Sequence, residues 1–421
     1  MVADPKIRIE TRCCIAGGGP AGMVLGYLLA RAGIRVVVLE KHADFLRDFR
    51  GDTVHPSTLE VMHELRLLDR FLKRPHQEIK ELSGIVNGEQ VKIVDFSHLP
   101  TQCKFIALMP QWEFLNFLSE EGQRFSEFDL RMEARATRLI ELDGRVAGVH
   151  AESKDGSLEV LADLVVAADG RHSDLRQAAR LELIDLGSPI DVLWMRLSRR
   201  PDDPEATAGR FAAGHILVMI NRGDYWQCAF VVPKGGNDEI RAAGLEAFHE
   251  QIVRIAPFLS SRIGELDDWD KIKLLTVAVN RLRRWAKPGL LSIGDAAHAM
   301  SPVGGVGINL AVQDAVAAAN LLAKPLLDGR PTLQQLVAVQ RRREWPTQMT
   351  QRVQLFIHNH VLRRALSSAG TRDEHPGLPL VLKIIRHFAV LRRIPARLVG
   401  FGFRPEHVSP DIIGASRSLS A

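Results

Sequence analysis

Three glycines and one acid near the start of the chain have the spacing of a dinucleotide-binding site. Gly17, Gly19 and Gly22 follow an apolar stretch, and Glu40 ends the next one. At this spacing the first glycine permits a tight turn, the second lets backbone approach a pyrophosphate, and the third lets a helix pack closely on a strand. The free N–H groups and positive dipole end of that helix would face the phosphates. Glu40 stands where a carboxylate accepts hydrogen bonds from a ribose diol.

Two later segments also have residue types and spacing suited to binding. Residues 169–176 read D-G-x-x-S-x-x-R directly after an apolar run, and residues 294–298 read G-D-A-A-H after another. A second glycine-rich turn, at 302–309, then leads into a long apolar helix. Backbone N–H groups at such a turn, together with the positive end of the helix dipole, stabilise negative charge on a ligand.

The elements that must position these motifs alternate between strands and helices. Residues 11–41 read as strand, turn, helix and strand, and the apolar runs 158–168 and 290–293 read as strands. Alternating apolar and polar residues at 215–221 and 225–232 predict an antiparallel sheet. Further predicted elements are helices at 57–71 (with Ser57 as the N-cap), 111–125, 244–255 and 308–322, and a strand at 273–280.

In this order and at this spacing, the three motifs resemble those of the class A flavoprotein monooxygenases, a family that includes p-hydroxybenzoate hydroxylase, the ubiquinone-biosynthesis hydroxylases and the aromatic polyketide hydroxylases. The resemblance covers about residues 13–322. It implies an α/β fold, in which a Rossmann-type, p-hydroxybenzoate hydroxylase-like FAD-binding domain is interleaved with an antiparallel-sheet substrate domain and followed by a helical C-terminal region. The expected boundaries are 1–75, 109–182 and 286–330 for the FAD-binding domain, 76–108 and 183–285 for the sheet domain, and 331–421 for the C-terminal region.

The resemblance also implies which residues bind FAD, and it implies non-covalent binding. Many relatives have Gly-Gln-Gly where this chain has Gly305, Val306 and Gly307, so only a backbone contact is expected at Val306. The turn at 302–309 would face the flavin N1–C2=O edge and favour the reduced, anionic form. The expected contacts to the pyrophosphate, the adenosine ribose, the ribityl chain and the flavin ring comprise Gly17, Gly19, Pro20, Ala21, Gly22, Glu40, Lys41, Arg50, Gln111, Asp169, Arg176, Gly294, Asp295, Pro302, Gly305, Val306, Gly307, Ile308 and Asn309.

A reaction follows from the same resemblance. The chain has one FAD fingerprint and no second one for NAD(P)H, as in this class, whose NADPH or NADH visits transiently. The reaction would begin with hydride transfer to FAD, and addition of O2 would then give a C4a-hydroperoxide. Attack on this hydroperoxide by an electron-rich ring would hydroxylate an aromatic or quinone-like substrate. Three alternatives stay open: a prenyl reductase or a flavin halogenase on the same fold, although the halogenase signature W-x-W-x-I-P is absent, and a flavin-binding redox sensor without turnover.

Three residues are candidates for acid–base chemistry on the substrate. His55 lies near the expected flavin face, and His215 and Tyr225 lie in the predicted covering sheet. For each, the alternative is a structural role in the core. The other tyrosine, Tyr27, is predicted to lie in the core, so a phenol-deprotonating tyrosine pair is not expected. No cluster of histidine, cysteine or carboxylate residues has metal-ligand spacing.

Bulk composition limits the remaining possibilities. The 421 residues are 46% hydrophobic and 25% charged with a net charge of +5, which gives no indication of nucleic-acid binding. Four cysteines without C-x-x-C spacing favour a reducing compartment, and the absence of an apolar leader or of an uninterrupted apolar run of membrane-spanning length favours a cytoplasmic protein. Residues 379–399 mix apolar and basic side chains, so this segment either packs on the body or makes peripheral membrane contact. The sequence does not determine the oligomeric state.

Overall fold

The computed structural model describes residues 7–46, 52–86, 89–205, 207–212, 214–363, 366 and 387–415. Twenty-one strands are distributed over two large and two small sheets in these residues. In chain order they are β1 Ile7–Ala16, β2 Val36–Leu39, β3 Thr53–Val54, β4 Gln77–Ile79, β5 Glu81–Val86, β6 Glu89–Asp95, β7 Ile106–Leu108, β8 Phe128–Arg131, β9 Ala134–Leu142, β10 Arg145–Ser153, β11 Gly156–Ala167, β12 Leu183–Asp185, β13 Ile190–Ser198, β14 Ala208–Ala212, β15 His215–Asn221, β16 Tyr225–Pro233, β17 Lys273–Leu275, β18 Asn280–Leu282, β19 Ala286–Lys287, β20 Leu290–Ser292 and β21 His298–Ala299.

The helices connect and cover these sheets. The α-helices of the described residues are α1 Pro20–Arg31, α2 Pro56–Glu64, α3 Leu68–Phe71, α4 Gln111–Gly122, α5 Asp174–Ala178, α6 Asn237–Ala243, α7 Leu245–Ile255, α8 Gly307–Asp328, α9 Leu333–Ile357, α10 Arg393–Gly400 and α11 Pro410–Ala415. A π-helical turn, His358–Leu362, continues α9.

The first sheet carries the glycine motif. Its order is β19-β20-β11-β1-β2-β8, with β20, β11, β1, β2 and β8 parallel to one another, β19 antiparallel to β20 and the β9–β10 hairpin added antiparallel to β11. Successive residues of β1 face opposite layers: Cys13 and Ile15 pack against the helices, while Cys14 and Ala16 pack against the β9–β10 side. Both faces of β1 are therefore buried, which explains why its C-terminal half is apolar without alternation.

The second sheet has the order β17-β13-β16-β15-β14-β5-β6 and is antiparallel except for the β14–β5 pair. Alternation along β16 separates its two faces. Trp226, Cys228 and Phe230 pack with Phe248 of α7, whereas Ala229 faces the interior space between the sheets. The sheet therefore has one face for its own core and one face for a ligand.

Two local predictions are wrong for identifiable reasons. The single helix predicted at 57–71 is two helices, because Arg66 has a φ of 60°, the left-handed conformation that ends α2. Ser57 is not its N-cap, because α2 begins at Pro56 with His55 as N-cap. The strand predicted at 273–280 is divided into β17 and β18, which belong to different sheets.

The C-terminal half contains two long helices. The segment Val303–Asp328 is long and apolar enough to cross a membrane, but 78% of its most apolar stretch of 18 residues is buried inside the protein. Its helix α8 packs on α1 and α9 in the core. Of the basic segment predicted at 379–399, residues 379–386 lie outside the described residues. The described remainder includes the short helix α10, which packs on β6.

Candidate active site

A cavity of about 1810 Å³ extends from the first sheet to the second. Four neighbouring parallel strands of the first sheet, β20, β11, β1 and β2, end at the same edge of this cavity, because the carboxyl ends of parallel strands lie together. Each of the four is followed within two residues by one of the predicted binding motifs, which begin at Gly17, Glu40, Asp169 and Gly294. Segments more than 250 residues apart in sequence are therefore brought to one edge.

The first glycine turn is shaped by close backbone approach. Gly17 has a φ of 111°, and a Cβ there would lie 2.3 Å from the Ala168 carbonyl oxygen. A Cβ at Gly22 would lie 1.9 Å from the Gly17 carbonyl oxygen, so α1 can pack on the turn only with glycine. Gly19 is different: it is the N-cap of α1, and a Cβ there would meet none of the described residues within 4 Å. Gly19, Pro20 and Ala21 line the cavity.

Glu40 stands at the end of β2 beside this turn. Its Oε2 accepts a hydrogen bond from the Gly18 N–H at 2.9 Å, and its Oε1 lies 2.6 Å from Nδ1 of His42. Glu40 and the exposed Lys41 both line the cavity. Because each carboxylate oxygen can accept more than one hydrogen bond, Glu40 can bind a ligand hydroxyl while it holds the glycine turn.

Asp169 and Arg176 have different positions in the second motif. Asp169 lines the cavity; its Oδ2 accepts from the Leu175 N–H at 3.3 Å, and its Oδ1 is buried without a hydrogen-bond partner in the described part of the chain. Burial raises the pKa of Asp169. Arg176 does not line the cavity. It donates to the carbonyls of Ala296 at 3.2 Å and Arg171 at 2.6 Å, and so ties the second motif to the third.

A cluster of buried charged side chains supports the Gly294–Asp295 turn. The Gly294 N–H donates to Oδ2 of Asp314 at 3.1 Å, and the same carboxylate accepts from Nε2 of His298 at 2.6 Å and Nε of Arg343 at 3.1 Å. Burial alone would raise the pKa of Asp314, but His298, Arg343 and the Gly294 N–H together lower it. Asp295 lines the cavity, 3.6 Å from Nε of Arg171.

The second glycine turn also borders the cavity. Gly304 and Gly305 have φ values of 82° and 63°, and α8 begins at Gly307, so its first N–H groups have no acceptor within the helix. Pro302, Gly305, Gly307 and Ile308 line the cavity, and a Cβ at Gly307 would meet no atom of the described part of the chain within 4 Å.

Some predicted binding residues lie behind this wall. Oδ1 of Asn309 accepts from Oγ1 of Thr58 at 2.9 Å and from Oγ of Ser57 at 2.5 Å, so this side-chain oxygen contacts α2. Gln111, at the start of α4, lines the cavity. Five of the predicted binding residues do not line the cavity: Gly22, Arg176, Gly294, Val306 and Asn309. A sixth, Arg50, lies outside the described residues.

The three acid–base candidates are not brought together. His215 lines the cavity, and burial together with the Arg254 charge lowers its pKa. Tyr225 does not line the cavity, and the Arg196 guanidinium stacks on its ring at 3.8 Å. His55 is fully buried behind the second glycine turn, with both ring nitrogens against backbone carbonyls.

One buried polar cluster in the cavity wall was not predicted. Asp52 pairs with Arg222, whose Nε donates to Oε1 of Gln227 at 3.0 Å. Burial raises the pKa of Asp52, and the Arg222 charge, followed by hydrogen bonds from Gln227, Arg222 and the Gln111 backbone, opposes that effect. Asp52 and Gln227 line the cavity. The ion pair joins residues 170 positions apart, so no sequence spacing could have indicated it.

Comparison with known proteins identifies the family. The sequence model of a family described as FAD binding domain matches residues 10–353. The 6-methylpretetramide 4-monooxygenase of Streptomyces rimosus is 32% identical over 396 residues, which is 93% of each protein. The chain belongs to the class A flavoprotein monooxygenases. This monooxygenase depends on FAD and acts on aromatic compounds, as the sequence motifs indicated.

Other relatives agree with this assignment. The rifampicin monooxygenase of Streptomyces venezuelae is 28% identical over 313 residues. The match covers 72% of this chain and 61% of that relative. The structure of OxyS anhydrotetracycline hydroxylase from Streptomyces rimosus superposes with a TM-score of 0.72 at 20% identity, covering 93% of this chain and 76% of that one. The predicted p-hydroxybenzoate hydroxylase-like fold is thereby confirmed.

Proposed function

We propose that the monooxygenase uses NADPH or NADH together with O2 to hydroxylate a fused-ring aromatic or quinone-like compound. The observation that carries this proposal is the continuity of the cavity, which joins the predicted cofactor cradle to an apolar sheet face without an intervening wall. A shared space is required if a ring of the substrate is to lie beside the flavin.

The residues at the first end of the cavity fit FAD. Oδ1 of Asp169 is a buried acceptor without a donor in the described residues, and a ligand hydroxyl would satisfy it. Open space in front of Gly19 and of Gly307 leaves room for phosphate oxygens and for the flavin edge at two helix N-termini. We assign the pyrophosphate to the Gly19 turn, the ribose to Glu40, and the ribityl chain to Asp295 and Gln111.

The other end of the cavity favours a large apolar substrate. Side chains of the second sheet that face it are almost all apolar, and they include Val192, Trp194, Phe211, Val218 and Val231. The volume of about 1810 Å³ exceeds the roughly 300–1,000 Å³ typical of a single small-molecule pocket, so it can hold a dinucleotide and a multi-ring compound together. The name of the 32% identical relative, 6-methylpretetramide 4-monooxygenase, supports the same size class.

The protein's own contribution is orientation, exclusion of water and proton handling. Bound FAD, reduced by NAD(P)H, supplies the oxygen-transfer chemistry. Because burial lowers the pKa of His215, its ring is neutral near pH 7 and can accept a proton from a substrate hydroxyl. The Asp52–Arg222 pair gives the apolar wall one polar position at which an oxygen of the substrate can be recognised.

The test compares substrate sizes. Fused-ring phenols should stimulate NAD(P)H oxidation more than single-ring phenols, and mass spectrometry should find one 18O atom in the product made under 18O2. Val218→Trp fills the sheet side of the cavity and should abolish this stimulation while FAD stays bound; Val218→Ala is the matched control. Oxidation that no phenol stimulates, or a product without 18O, would contradict the proposal.

Two further expectations belong to this proposal. The domain division at 75/76, 108/109, 182/183, 285/286 and 330/331 remains a proposal, supported by the strands of the second sheet, all of which come from 76–108 and 183–285 in the described residues. A cytoplasmic location is proposed because all four cysteines are free and buried.

Peripheral membrane contact through 379–399 stays a prediction.

A further inference from the structure

We propose that His55 is a positioning residue that joins the C-terminal helix α10 to the second glycine turn, which makes the C-terminal region part of the FAD site. The inference rests on the proposed placement of the flavin at that turn. Helix α10 lies beyond residue 353, where the family match ends.

The contacts of His55 bridge two distant segments. Its Nδ1 lies 2.7 Å from the carbonyl oxygen of Val399 in α10, and its Nε2 lies 3.0 Å from the carbonyl oxygen of Gly305 in the turn. The ring is fully buried. It does not line the cavity, so it cannot be the group that takes a proton from the substrate in this arrangement.

The two carbonyls depend on the histidine to different degrees, because a neutral imidazole has one N–H and only the imidazolium can donate to both. Val399 is in the last turn of α10, where carbonyls lack an intrahelical N–H, and its neighbours Arg397 and Leu398 are satisfied by the N–H groups of Phe401 and Gly402. The carbonyl of Gly305 accepts from Oγ1 of Thr53 at 2.8 Å and lies within reach of His55 on the same side. A buried carbonyl that loses its donor is unfavourable, so each N–H of the ring fixes the direction of the carbonyl that it contacts, and the protonated ring fixes both.

The direction of the Gly305 carbonyl sets the donors that face the flavin. A trans peptide unit is planar, with its C=O and N–H groups pointing in opposite directions. Because the Gly305 carbonyl points toward His55 and Thr53, the Val306 N–H points away from them. Any rotation of this peptide would change that N–H and shift the start of α8 at Gly307, where the first free N–H groups of the helix lie.

The sequence of two glycines makes this turn dependent on outside support. Gly304 and Gly305 both have positive φ, a region that glycine enters and leaves without a steric barrier from a side chain. The support comes from Thr53 and His55 below the turn, and His55 is in turn fixed by α10. Displacement of α10 should therefore move the His55 ring, and through it the glycine turn that we place beside the flavin.

The first experiment uses three substitutions at one position. His55→Ala removes both contacts, His55→Gln can place an amide nitrogen near the former Nε2, and His55→Asn can place one near the former Nδ1. For each protein we would measure the FAD dissociation constant by fluorescence titration of the apo-protein, the flavin reduction potential against a reference dye, and the melting temperature of the apo-protein.

We expect His55→Ala to weaken FAD binding at least ten-fold and to lower the potential. His55→Gln should restore both values toward those of the parent, and His55→Asn should restore neither. If His55→Ala does not fold, the comparison of FAD affinity and potential between His55→Gln and His55→Asn tests the proposal. Equal affinity and potential in the Gln and Asn variants would overturn the proposal, even if both melt at a lower temperature, because the role would then be structural only.

The second experiment tests the connection from the helix. A Cβ at Gly400 would lie 2.7 Å from Cδ1 of Leu99, which is itself buried, and 3.4 Å from Cγ of Pro56, so the larger side chain of Gly400→Val should displace α10. A Cβ at Gly414 in α11 would meet nothing within 4 Å, so Gly414→Val is the matched control. Weaker FAD binding in the first variant alone is expected, and parental binding in both would contradict the inference. Failure of the parent protein itself to bind FAD would instead contradict the proposed function.

Discussion

The two glycines that flank the start of α1 should respond in opposite ways to the same substitution. In Gly19→Ala the added methyl group meets no described residue within 4 Å, and the φ of −75° with a ψ of −177° is open to alanine. The apo-protein should therefore be as stable as the parent, or more stable by about 0.4–1 kcal/mol because the unfolded chain loses entropy. The methyl group, however, would occupy the space in front of the helix N-terminus, where we place the pyrophosphate.

The expected loss is one close, charge-assisted hydrogen bond to a phosphate oxygen, worth about 1.5–3 kcal/mol, or about ten- to a hundred-fold in FAD affinity. Gly22→Ala is the counterpart: its methyl group would lie 1.9 Å from the Gly17 carbonyl oxygen, so the free energy of unfolding should fall by about 1–3 kcal/mol or more. Urea unfolding of the apo-proteins and FAD fluorescence titration separate the two effects. A Gly19→Ala protein that binds FAD as tightly as the parent would refute the cofactor placement.

Three further predictions concern the site and its charges. Asp295→Ala should weaken FAD binding about ten- to a hundred-fold in the same titration, with an unchanged unfolding midpoint because the side chain is 40% exposed. Gly307→Pro should fold, because proline is accommodated at the first position of a helix, yet lower the flavin potential by removing one N–H donor; an unchanged potential would contradict this. Burial lowers the pKa of His215 and His358 from about 6.5, so the unfolded chain binds more protons below that pH. The free energy of unfolding should therefore fall between pH 7.5 and 5.5, by up to about 1.4 kcal/mol per pH unit for each histidine that stays neutral, and a pH-independent urea midpoint would exclude this.

The sequence predicts the parts of the site that depend on local backbone requirements. The turns at Gly17 and Gly305 need positive φ, and the acid Glu40 must directly follow a strand, so residue type and spacing indicate them. Fold class follows from the same motifs, because each one marks the end of a strand in a parallel sheet.

Contacts between distant segments have no such signal. His55 and Val399 are 344 positions apart, and Asp52 and Arg222 are 170 apart, so neither pair could be found by spacing. Tyr225 shows a subtler limit. Alternation places it on the same face as Gln227, which lines the cavity, but Tyr225 is at the end of its strand and lies beyond the cavity wall.

The pairing of β1 with β11 has a consequence for synthesis on the ribosome. Ile7 pairs with Leu158, so one edge of the first strand has no partner until some 150 further residues have been made. At about 5–20 residues per second this interval lasts roughly 8–30 s, during which an apolar strand edge is open to other chains. We expect nascent chains that end before residue 167 to be retained by chaperones, and expression yield to depend on how quickly translation passes through β11.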